Sequence, residues 1–360
     1  MPRRLLAIAQ TAEPGGAERA LLRTVPGLRE RGYEIDLTVP AHGRLEDEAE
    51  ALGIRTWQLP VGGLGAGTWP RALASIPAAR LVRRAVRPDI VYFNGTVAQR
   101  LAPAFGRATL VPHVHDLLDF RPRPWRSRRF WRRAPVVLCD SDAVARRAAA
   151  LGAPPARLRT VYCPVEALPA IPRPVWAGAG AVVGFVGRIE PRKGVLDLLR
   201  ALAILRRTRP DARLVLVGDD DLGASAAYRR DVAEGVTTLG PAVVALGRVE
   251  DARPLMPWFD VMCVPSHAEP FGTVAAEALA AGVPVVATRS GGMEEYVSAE
   301  RNGALVPIGD PTALAAALAA TLERAPQLAR AAREDAARFS SERVASAVAD
   351  ALDEALEARR

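Results

Sequence analysis

Short apolar runs along the chain alternate with longer stretches in which apolar residues recur every three or four positions. This alternation is typical of parallel β-sheets whose strands are joined by crossover helices. In the first half it predicts helices over Ala17–Glu30 and Ala143–Leu151. The strands it predicts there lie near Leu5–Ala9, Ile35–Val39, Ile54–Trp57, Asp89–Phe93, Thr109–Val114, Val136–Cys139 and Leu158–Tyr162.

The same pattern starts again after residues 164–178, which contain four prolines and predict a linker. The helices predicted beyond it are Val195–Arg207, Thr273–Ala281, Thr312–Arg324 and, after a break at Pro326, a helical tail from Gln327. The predicted strands are Val182–Val186, Arg213–Val217, Val243–Ala245, Val261–Val264, Val283–Ala287 and Ala304–Val306. We therefore predict an α/β protein with two doubly wound domains, 1–163 and 179–339, and a ligand cleft at the carboxyl ends of their strands.

Length and composition allow both domains an apolar core, since the chain has 360 residues of which 49% are hydrophobic. No apolar run approaches the ~20 residues that cross a bilayer. The opening MPRRLLAIAQ turns polar too early for a signal peptide, so we expect a strand there. Cys139, Cys163 and Cys263 show neither disulfide nor metal spacing. The sequence therefore predicts a cytoplasmic protein with no bound metal.

Positive charge is concentrated in the first half of the chain. The net charge is +8, of which residues 1–170 contribute +11 (26 Arg against 15 Asp and Glu) and residues 171–360 contribute −3 (22 Arg and Lys against 25 Asp and Glu). A basic first half favours an anionic partner there. Arginine enrichment by codon usage is the alternative.

The segment SHAEPFGTVAAEALAAGVPVVATRSGG, residues 266–292, carries the most specific chemistry. Glu269 precedes a predicted helix and Glu277 lies about one turn inside it, and carboxylates suit sugar and ribose hydroxyls. Between them the amides of Phe271, Gly272 and Thr273 form a helix N-terminus that suits phosphate. The alternative is a capping role for Glu269 and a solvated Glu277.

A second segment, FVGRIEPRKG at residues 185–194, follows the first strand of the second domain. Arg188 and Lys193 supply two cations that would stabilise a diphosphate leaving group as its negative charge develops. Lys193 is the only lysine in the chain, which favours a specific need for a compact ammonium. A solvated basic turn is the alternative.

Two segments of the first domain add weaker signals. The loop EPGGAERAL, residues 13–21, places Gly15 and Gly16 at a predicted helix start that suits phosphate, but it lacks the GxGxxG of a dinucleotide site. At the end of the strand in LVPHVHDLLDF, residues 110–120, His115 is a candidate for contacting a hydroxyl or moving a proton, with His113 a lesser candidate. A histidine at a strand end is more often structural.

The segment RPRPWRSRRFWRR, residues 121–133, combines seven arginines with three aromatic residues and no acid. Such a composition suits a membrane interface or a phosphate-bearing acceptor. The alternative is an exposed basic loop with its aromatic residues packed beneath it. The candidate surface residues are Arg121, Arg123, Trp125, Arg128, Arg129 and Trp131.

Taken together, these segments resemble the GT-B retaining glycosyltransferases of glycosyltransferase family 4, over nearly the whole chain and in the same order. The motifs are GGAE, HD, GRIEPRKG, LVG, LGRV, EPFGTVAAE and GG-x-x-E. Two stretches depart from the family pattern: CPVE at residues 163–166 stands where PNGVD is common, and Asp219–Asp221 follow LVG in place of a glycine-containing turn.

The resemblance implies a GT-B fold of two Rossmann-like domains facing one cleft, and metal-independent transfer of a sugar with retention. It implies that the first domain binds the acceptor, completed by a final helix near 340–360, and that the second binds the nucleotide-sugar. Residues implied as catalytic are His115, Arg188, Lys193 and Glu269. Residues implied to bind the donor are Gly15, Gly16, Arg188, Lys193, Arg248, Val249, Glu269, Phe271, Gly272, Thr273, Val274 and Glu277.

The motifs are compatible with more than one nucleotide-sugar donor and more than one class of acceptor. We expect no cofactor, since the nucleotide-sugar, with UDP or GDP first, is a substrate. The acceptor is a hydroxyl of a glycan, a lipid-linked precursor or a small molecule. We expect a cytoplasmic protein and no nucleic-acid partner, with attachment to an anionic inner membrane face as an alternative. The other functions are a non-catalytic glycan- or lipid-binding protein of this fold and a sugar-nucleotide isomerase or hydrolase.

Overall fold

The computed structural model describes residues 2–61, 74–106, 108–117, 130–178, 180–219 and 224–359. The chain divides into two compact units. The first unit contains Met1–Pro164 and Phe339–Arg360, and the second contains Val165–Arg338. Among the described helices, none is long and apolar enough to cross a membrane.

The described strands of the first unit form one parallel sheet in the order β3-β2-β1-β4-β5-β6-β7. These strands are β1 (Arg3–Ile8), β2 (Tyr33–Val39), β3 (Arg55–Gln58), β4 (Ile90–Asn94), β5 (Thr109–Val114), β6 (Val137–Cys139) and β7 (Leu158–Thr160). The helices of this unit are α1 (Gly16–Glu30), α2 (Arg44–Ala51), α3 (Ile76–Val86) and α4 (Asp142–Ala150). The final helix of the chain, Ser341–Glu357, also belongs to it. Apolar side chains cover both faces of the sheet, as a parallel sheet requires.

The described strands of the second unit form a parallel sheet in the order β10-β9-β8-β11-β12-β13. These strands are β8 (Val182–Val186), β9 (Arg213–Val217), β10 (Val243–Gly247), β11 (Val261–Val264), β12 (Val285–Thr288) and β13 (Gly303–Val306). The helices are α5 (Val195–Leu205), α6 (Ala226–Leu239), α7 (Thr273–Ala280) and α8 (Pro311–Ala336), and α9 (Ser341–Glu357) follows in the first unit. In each sheet the first three strands are added in one direction and the remaining strands are added on the other side of the first strand. The topological switch points therefore lie between β1 and β4 and between β8 and β11.

The predicted helix break at Pro326 is wrong. Helix α8 continues through Pro326 to Ala336. Leu322 and Leu328 are buried on either side of the proline, so packing within the second unit holds this helix together across the missing N–H. The chain leaves the second unit only after Arg338.

Helix α9 packs on α1 within the first unit. A Cβ atom added to Gly27 would lie 2.6 Å from the Cβ of Ala345, so the two helices meet at a point where only small residues fit. The guanidinium of Arg159 holds α9 at the far edge of the sheet through two hydrogen bonds to Glu354, 2.9 and 2.5 Å long.

Of the linker that the sequence predicts over residues 164–178, residues 165–178 are held to the second unit. The N–H of Ile171 donates to the carbonyl of Pro254 at 3.2 Å, and Trp258 Nε1 donates to the carbonyl of Ile171 at 2.9 Å. Arg253 forms an ion pair with Glu166 at 3.8 Å.

Candidate functional site

The carboxyl ends of β8 and β11 bring together two loops that are far apart in sequence. Arg192 joins them, because its guanidinium donates to the carbonyl of Ala268 at 2.8 Å while its own carbonyl accepts from the N–H of His267 at 2.7 Å. Gly194, at φ +68°, lies so near the second loop that a Cβ there would be 2.0 Å from the carbonyl oxygen of Pro265. A glycine is therefore required at this crossing.

Lys193 and Glu269 meet in a buried ion pair at this crossing. Lys193 Nζ lies 2.6 Å from Glu269 Oε2, and the Ser266 hydroxyl donates to the same oxygen at 3.0 Å. The two charged side chains are only 15% and 10% exposed. Burial raises the pKa of Glu269, but the Lys193 ammonium, together with Arg192 and the Ser266 hydroxyl, holds this pKa below the usual value of a glutamate.

The backbone around Glu269 is fixed by the strand-like pairing of two loops. Glu269 N–H donates to the carbonyl of Ser290 at 3.0 Å, and Gly292 N–H donates to the carbonyl of Glu269 at 3.0 Å. The carboxylate therefore has little freedom to leave its position, which is the property needed of a group that orients a substrate.

Helix α7 begins at Thr273, with Gly272 as its N-cap at φ +87°. The Tyr296 hydroxyl lies under this turn and donates to the carbonyls of Phe271 and Gly272 at 2.8 and 2.9 Å. Because the first N–H groups of a helix have no acceptor within the helix, the amides of Thr273 and Val274 form a site suited to phosphate. Both residues are half-buried.

Glu277 lies one turn further along α7 and is also half-buried. The pKa of Arg253 is raised mainly by a hydrogen bond to Asp251, and the negative charge of Glu277 adds to this effect. The Asp251 carboxylate accepts from Arg253 Nε at 3.0 Å. Glu277 therefore lies close enough to the Arg253 guanidinium for its negative charge to raise the pKa of Arg253.

Arg188 is half-exposed and ion-pairs with Glu190 at 3.2 Å. The same Glu190 oxygen accepts from Arg192 at 2.8 Å. Glu190 thus keeps two guanidinium groups beside the Lys193 turn, and sequence reasoning missed it because an acid among basic residues gives no signal of its own. The predicted base-side residues Arg248 and Val249 follow β10 directly, where Arg248 is exposed and Val249 is half-buried.

In the first unit, His115 lies just beyond β5 and is nearly enclosed, with its side chain 8% exposed. Its Nε2 is 2.9 Å from Asn94 Oδ1, and its Nδ1 is 3.5 Å from Asp140 Oδ2. The His113 ring packs against it in a tilted arrangement, with 3.9 Å between ring centroids and 41° between the ring planes. Burial and the neighbouring His115 hold the pKa of His113 well below the usual range, so His113 is neutral.

The Gly-Gly loop of the first unit is organised by Glu18, which sequence reasoning missed. Glu18 lies in the first turn of α1, is 3% exposed and accepts from the Gly15 N–H through Oε2 at 3.2 Å. Gly15 and Gly16 are exposed. The signal was present in the sequence, since an acid three residues after a helix N-cap is the capping-box position.

The prediction that Trp131 belongs to an exposed acceptor or membrane surface is wrong. Trp131 is 1% exposed and packs in a core cluster with Val114, Val137 and Val144. Exposing the apolar surface of an indole ring to water costs free energy that the hydration of neighbouring arginines does not offset. The ring is therefore buried while Arg132 and Arg133 stay exposed. Arg121, Arg123, Trp125, Arg128 and Arg129 lie outside the described residues.

The described His, Cys, Asp and Glu side chains contain one group that could hold a metal ion, formed by His115, Asp140 and Cys163. Sequence reasoning named only His115. No comparable group is found beside Lys193 within the described part of the second unit, where the arrangement instead combines fixed cations, a buried carboxylate and a helix N-terminus.

Two protein-family models match the chain. The model for Glycosyltransferase Family 4 matches residues 14–167, and the model for Glycosyl transferases group 1 matches residues 180–324. The chain belongs to the GT-B glycosyltransferases of the family 4 type. The two parallel-sheet units of this chain correspond to the two Rossmann-like domains of the GT-B fold.

Two curated relatives share the name D-inositol 3-phosphate glycosyltransferase. The D-inositol 3-phosphate glycosyltransferase of Saccharomonospora viridis is 40% identical over 190 residues, which is 50% of this chain and 44% of that protein. The enzyme of the same name from Stackebrandtia nassauensis is 29% identical over 97% of this chain and 89% of its own length. The chain thus spans less than half the length of the first of these relatives.

Anabaena HepE gives a match among solved structures. Its complex with UDP and glucose is 25% identical with a TM-score of 0.81, and the match covers 97% of this chain and 99% of that one. HepE has also been solved with UDP-glucose, at 26% identity and a TM-score of 0.80.

Proposed function

We propose that this chain is a metal-independent, retaining glycosyltransferase that takes a sugar from a nucleotide-sugar and delivers it to an acceptor hydroxyl. The observation that carries the proposal is the buried Lys193–Glu269 pair, 2.6 Å apart, held just ahead of the N-terminus of α7. A fixed cation, a fixed carboxylate and the first amides of a helix are the three groups that a sugar diphosphate requires.

In this proposal the donor diphosphate binds Lys193, Arg188 and the amides of Thr273 and Val274. As the glycosidic bond breaks, the leaving diphosphate gains negative charge, and these donors stabilise it without a metal ion. Retention follows when the acceptor hydroxyl attacks the same face of the sugar that the diphosphate leaves, with a phosphate oxygen taking the hydroxyl proton.

Glu269 is suited to hold hydroxyls of the donor sugar. Its low pKa keeps it ionised at neutral pH, and an ionised carboxylate accepts hydrogen bonds from two neighbouring hydroxyls. Glu277 would hold the ribose hydroxyls in the same way. We assign His115 to the reacting sugar in the first unit, where Asn94 fixes its ring orientation.

The donor base is the first thing to measure. HepE was solved with UDP and with UDP-glucose, so UDP is the first candidate and GDP the second. We expect calorimetric titration of UDP, GDP, ADP and dTDP without metal to show one clear binder. Arg188→Ala and Glu277→Ala should each weaken it about tenfold or more, as expected for a hydrogen bond to a charged group.

Arg200→Ala is the matched control for these variants. Arg200 lies on α5 near the Lys193 turn, is 66% exposed and pairs only loosely with Asp197 at 3.5 Å. Its loss should leave nucleotide affinity unchanged. If no nucleotide binds, or if Arg188→Ala and Arg200→Ala behave alike, the donor site is not where we place it.

For the acceptor we propose an anionic compound that binds the basic first unit. D-inositol 3-phosphate, taken from the names of two relatives, is the small-molecule acceptor to test first. A lipid-linked glycan precursor at an anionic membrane is the second. Donor consumption that depends on D-inositol 3-phosphate supports the first, and flotation with anionic vesicles at low salt supports the second. Donor hydrolysis alone contradicts the transferase.

A further inference from the structure

A single 3-10 turn, Pro191–Lys193, carries Lys193 between β8 and α5. The N–H of Lys193 closes the turn by donating to the carbonyl of Glu190 at 2.9 Å. None of the three residues of the turn, all of which the structure describes, is fully buried. The hydrogen bonds made to this short backbone segment therefore determine how firmly the Lys193 ammonium is held.

A hydroxyl from helix α6 bonds to this turn. Tyr228 OH donates to the carbonyl of Glu190 at 3.2 Å, although the two residues are 38 positions apart. Tyr228 lies in the first turn of α6, where its N–H donates to Oγ of the N-cap residue Ser225 at 3.2 Å. Its ring packs against the apolar core of the second unit. Backbone and ring are thus both anchored, which fixes the position of the hydroxyl.

The same hydroxyl also faces the start of α5, on the other side of the turn. Gly194 is the N-cap of α5 and has no side chain that could accept from the first amides of the helix. Burial raises the pKa of Tyr228, and hydrogen bonds from the backbone of Val195 and Leu196 act in the opposite direction. The hydroxyl oxygen thus accepts at the N-terminus of α5 while its proton is donated to Glu190, and one group ties together both ends of the turn.

Packing alone does not explain a tyrosine at this position of α6. Within Ala226–Leu239, which the structure describes in full, Val232 is the only buried residue. Tyr228 is half-buried, and a phenylalanine would supply the same apolar ring without a polar atom that needs a partner. What the hydroxyl contributes is its set of hydrogen bonds to the Lys193 turn.

Tyr296 has the corresponding position under the other loop of the candidate site. Its hydroxyl donates to the carbonyls of Phe271 and Gly272, just ahead of α7. Helices α5 and α7 follow β8 and β11, the two strands at the switch point of the second sheet. Both helix starts at this switch point are therefore held from another element by a tyrosine hydroxyl.

We propose that Tyr228 is a positioning residue for Lys193, because its hydroxyl fixes the turn that keeps the ammonium beside Glu269. The role rests on the donor site proposed above and adds to it a residue outside its sequence motifs. Tyr228 itself does not touch the diphosphate. A displaced turn would move the cation away from the place where the leaving group gains negative charge.

The test uses the fact that Lys193 is the only lysine in the chain. The full chain, produced with lysine carrying ¹³C at Cε, gives a single lysine signal in a carbon–proton NMR spectrum. Tyr228→Phe should shift this signal by more than its line width. The variant should also bind about three- to tenfold more weakly the nucleotide that wild type binds among UDP, GDP, ADP and dTDP, as expected for the loss of one or two hydrogen bonds.

Tyr33→Phe is the matched control. Tyr33 lies in the first unit, where its hydroxyl bonds to Asp353 and to Arg3. This variant also loses one tyrosine hydroxyl and should have a lower melting temperature than wild type. Its Lys193 signal and its nucleotide affinity should equal those of wild type, which separates a displaced Lys193 from a general loss of stability.

Two outcomes would overturn the inference. One is a Lys193 signal at the wild-type position in folded Tyr228→Phe, whether or not a nucleotide binds. The other is a shifted signal with unchanged nucleotide affinity, because the turn would then move without consequence for the diphosphate. If wild type binds none of the four nucleotides, the proposed donor site fails, and the NMR signal still decides whether Tyr228 positions Lys193.

Discussion

Glu269 and Glu18 are both buried glutamates near the start of a helix that follows a strand, yet their surroundings differ. Glu269, in the second unit, has the Lys193 ammonium at 2.6 Å and the Ser266 hydroxyl at 3.0 Å on one oxygen. Glu18, in the first unit, has the Gly15 N–H at 3.2 Å on Oε2, while Oε1 is buried without a hydrogen-bond partner among the described residues.

The pKa of each carboxyl follows from this difference. Burial raises the pKa of Glu18, and the backbone hydrogen bonds and the nearby His115 lower it too little to compensate. Burial also raises the pKa of Glu269, but the Lys193 cation, together with Arg192 and the Ser266 hydroxyl, lowers it below the usual value. Burial alone therefore does not make an acid a site residue, since only a compensated carboxylate stays charged in a closed position.

Removing the compensating cation should produce the largest effect. Lys193→Met leaves the Glu269 carboxylate buried and unpaired, which should lower the free energy of unfolding by about 3–5 kcal/mol. Urea denaturation followed by circular dichroism measures this loss. The double variant Lys193→Met/Glu269→Gln should recover most of it while nucleotide binding stays lost.

The control for this variant is Arg301→Met, which breaks an exposed ion pair with Asp335, 2.8 Å long. Because solvent already screens that pair, the change should be far smaller than for Lys193→Met. Equal losses in the two variants would show that Glu269 is not dependent on Lys193.

Substitution by alanine should also lower the free energy of unfolding by different amounts at Gly272, which precedes α7, and at Gly15, which precedes α1. Gly272 has φ +87°, and a Cβ there would lie 2.6 Å from Met293 Cγ and 2.9 Å from the Tyr296 hydroxyl. Gly272→Ala should therefore cost roughly 1–3 kcal/mol. Gly15 has φ −87°, and its Cβ would meet only the end of the Glu18 side chain at 3.2 Å, so Gly15→Ala should cost little.

Gly309→Ala separates backbone strain from contact, since Gly309 has φ +71° with nothing within 4 Å of an added Cβ. The expected order of destabilisation in urea is Gly272→Ala, then Gly309→Ala, then Gly15→Ala. If Gly272→Ala and Gly309→Ala match, the turn before α7 is not tightly packed and the phosphate site there is less rigid than we infer.

Much of the fold could be predicted because apolar periodicity is a local signal. The strands at Thr109–Val114, Val182–Val186, Arg213–Val217 and Val261–Val264 lie where the sequence predicts them. Pro326 shows the limit of local rules. A proline predicts a helix break, but Leu322 and Leu328 are buried on either side of it, and that burial depends on how α8 packs within the second unit.

The candidate site could be predicted residue by residue but not as an arrangement. Glu269 and Lys193 each carry a local motif, whereas their pairing depends on how two loops meet across β8 and β11. Asp140 and Cys163 carry no motif, because only the strand order places them beside His115.

The two glutamates predict opposite pH dependence of stability. For Glu269, whose folded pKa is below the ordinary value, the unfolded chain binds more protons in the acid range. Its contribution is present above the unfolded pKa and is lost as the pH falls. Wild type should therefore lose more stability than Glu269→Gln between about pH 5 and pH 3. Glu294→Gln, at an exposed position, should follow wild type, and parallel curves for wild type and Glu269→Gln would refute this account.

For Glu18 the sign is reversed and the effect is the smallest. Its folded pKa is above the ordinary value, so its contribution is present below the unfolded pKa and is lost as the pH rises through the folded pKa. Glu18→Gln keeps an acceptor for the Gly15 N–H but cannot ionise. In urea denaturation we expect this variant to be more stable than wild type at pH 7, by less than Lys193→Met loses, and to lose that advantage near pH 4. Glu13→Gln, exposed just before α1, should show no such trend.

The contradicting outcome is a Glu18→Gln variant that is less stable than wild type at both pH values. It would mean that the interaction of the charged carboxylate with the N-terminus of α1 outweighs the free-energy cost of burying it. Glu18 would then belong with Glu269 as a compensated group.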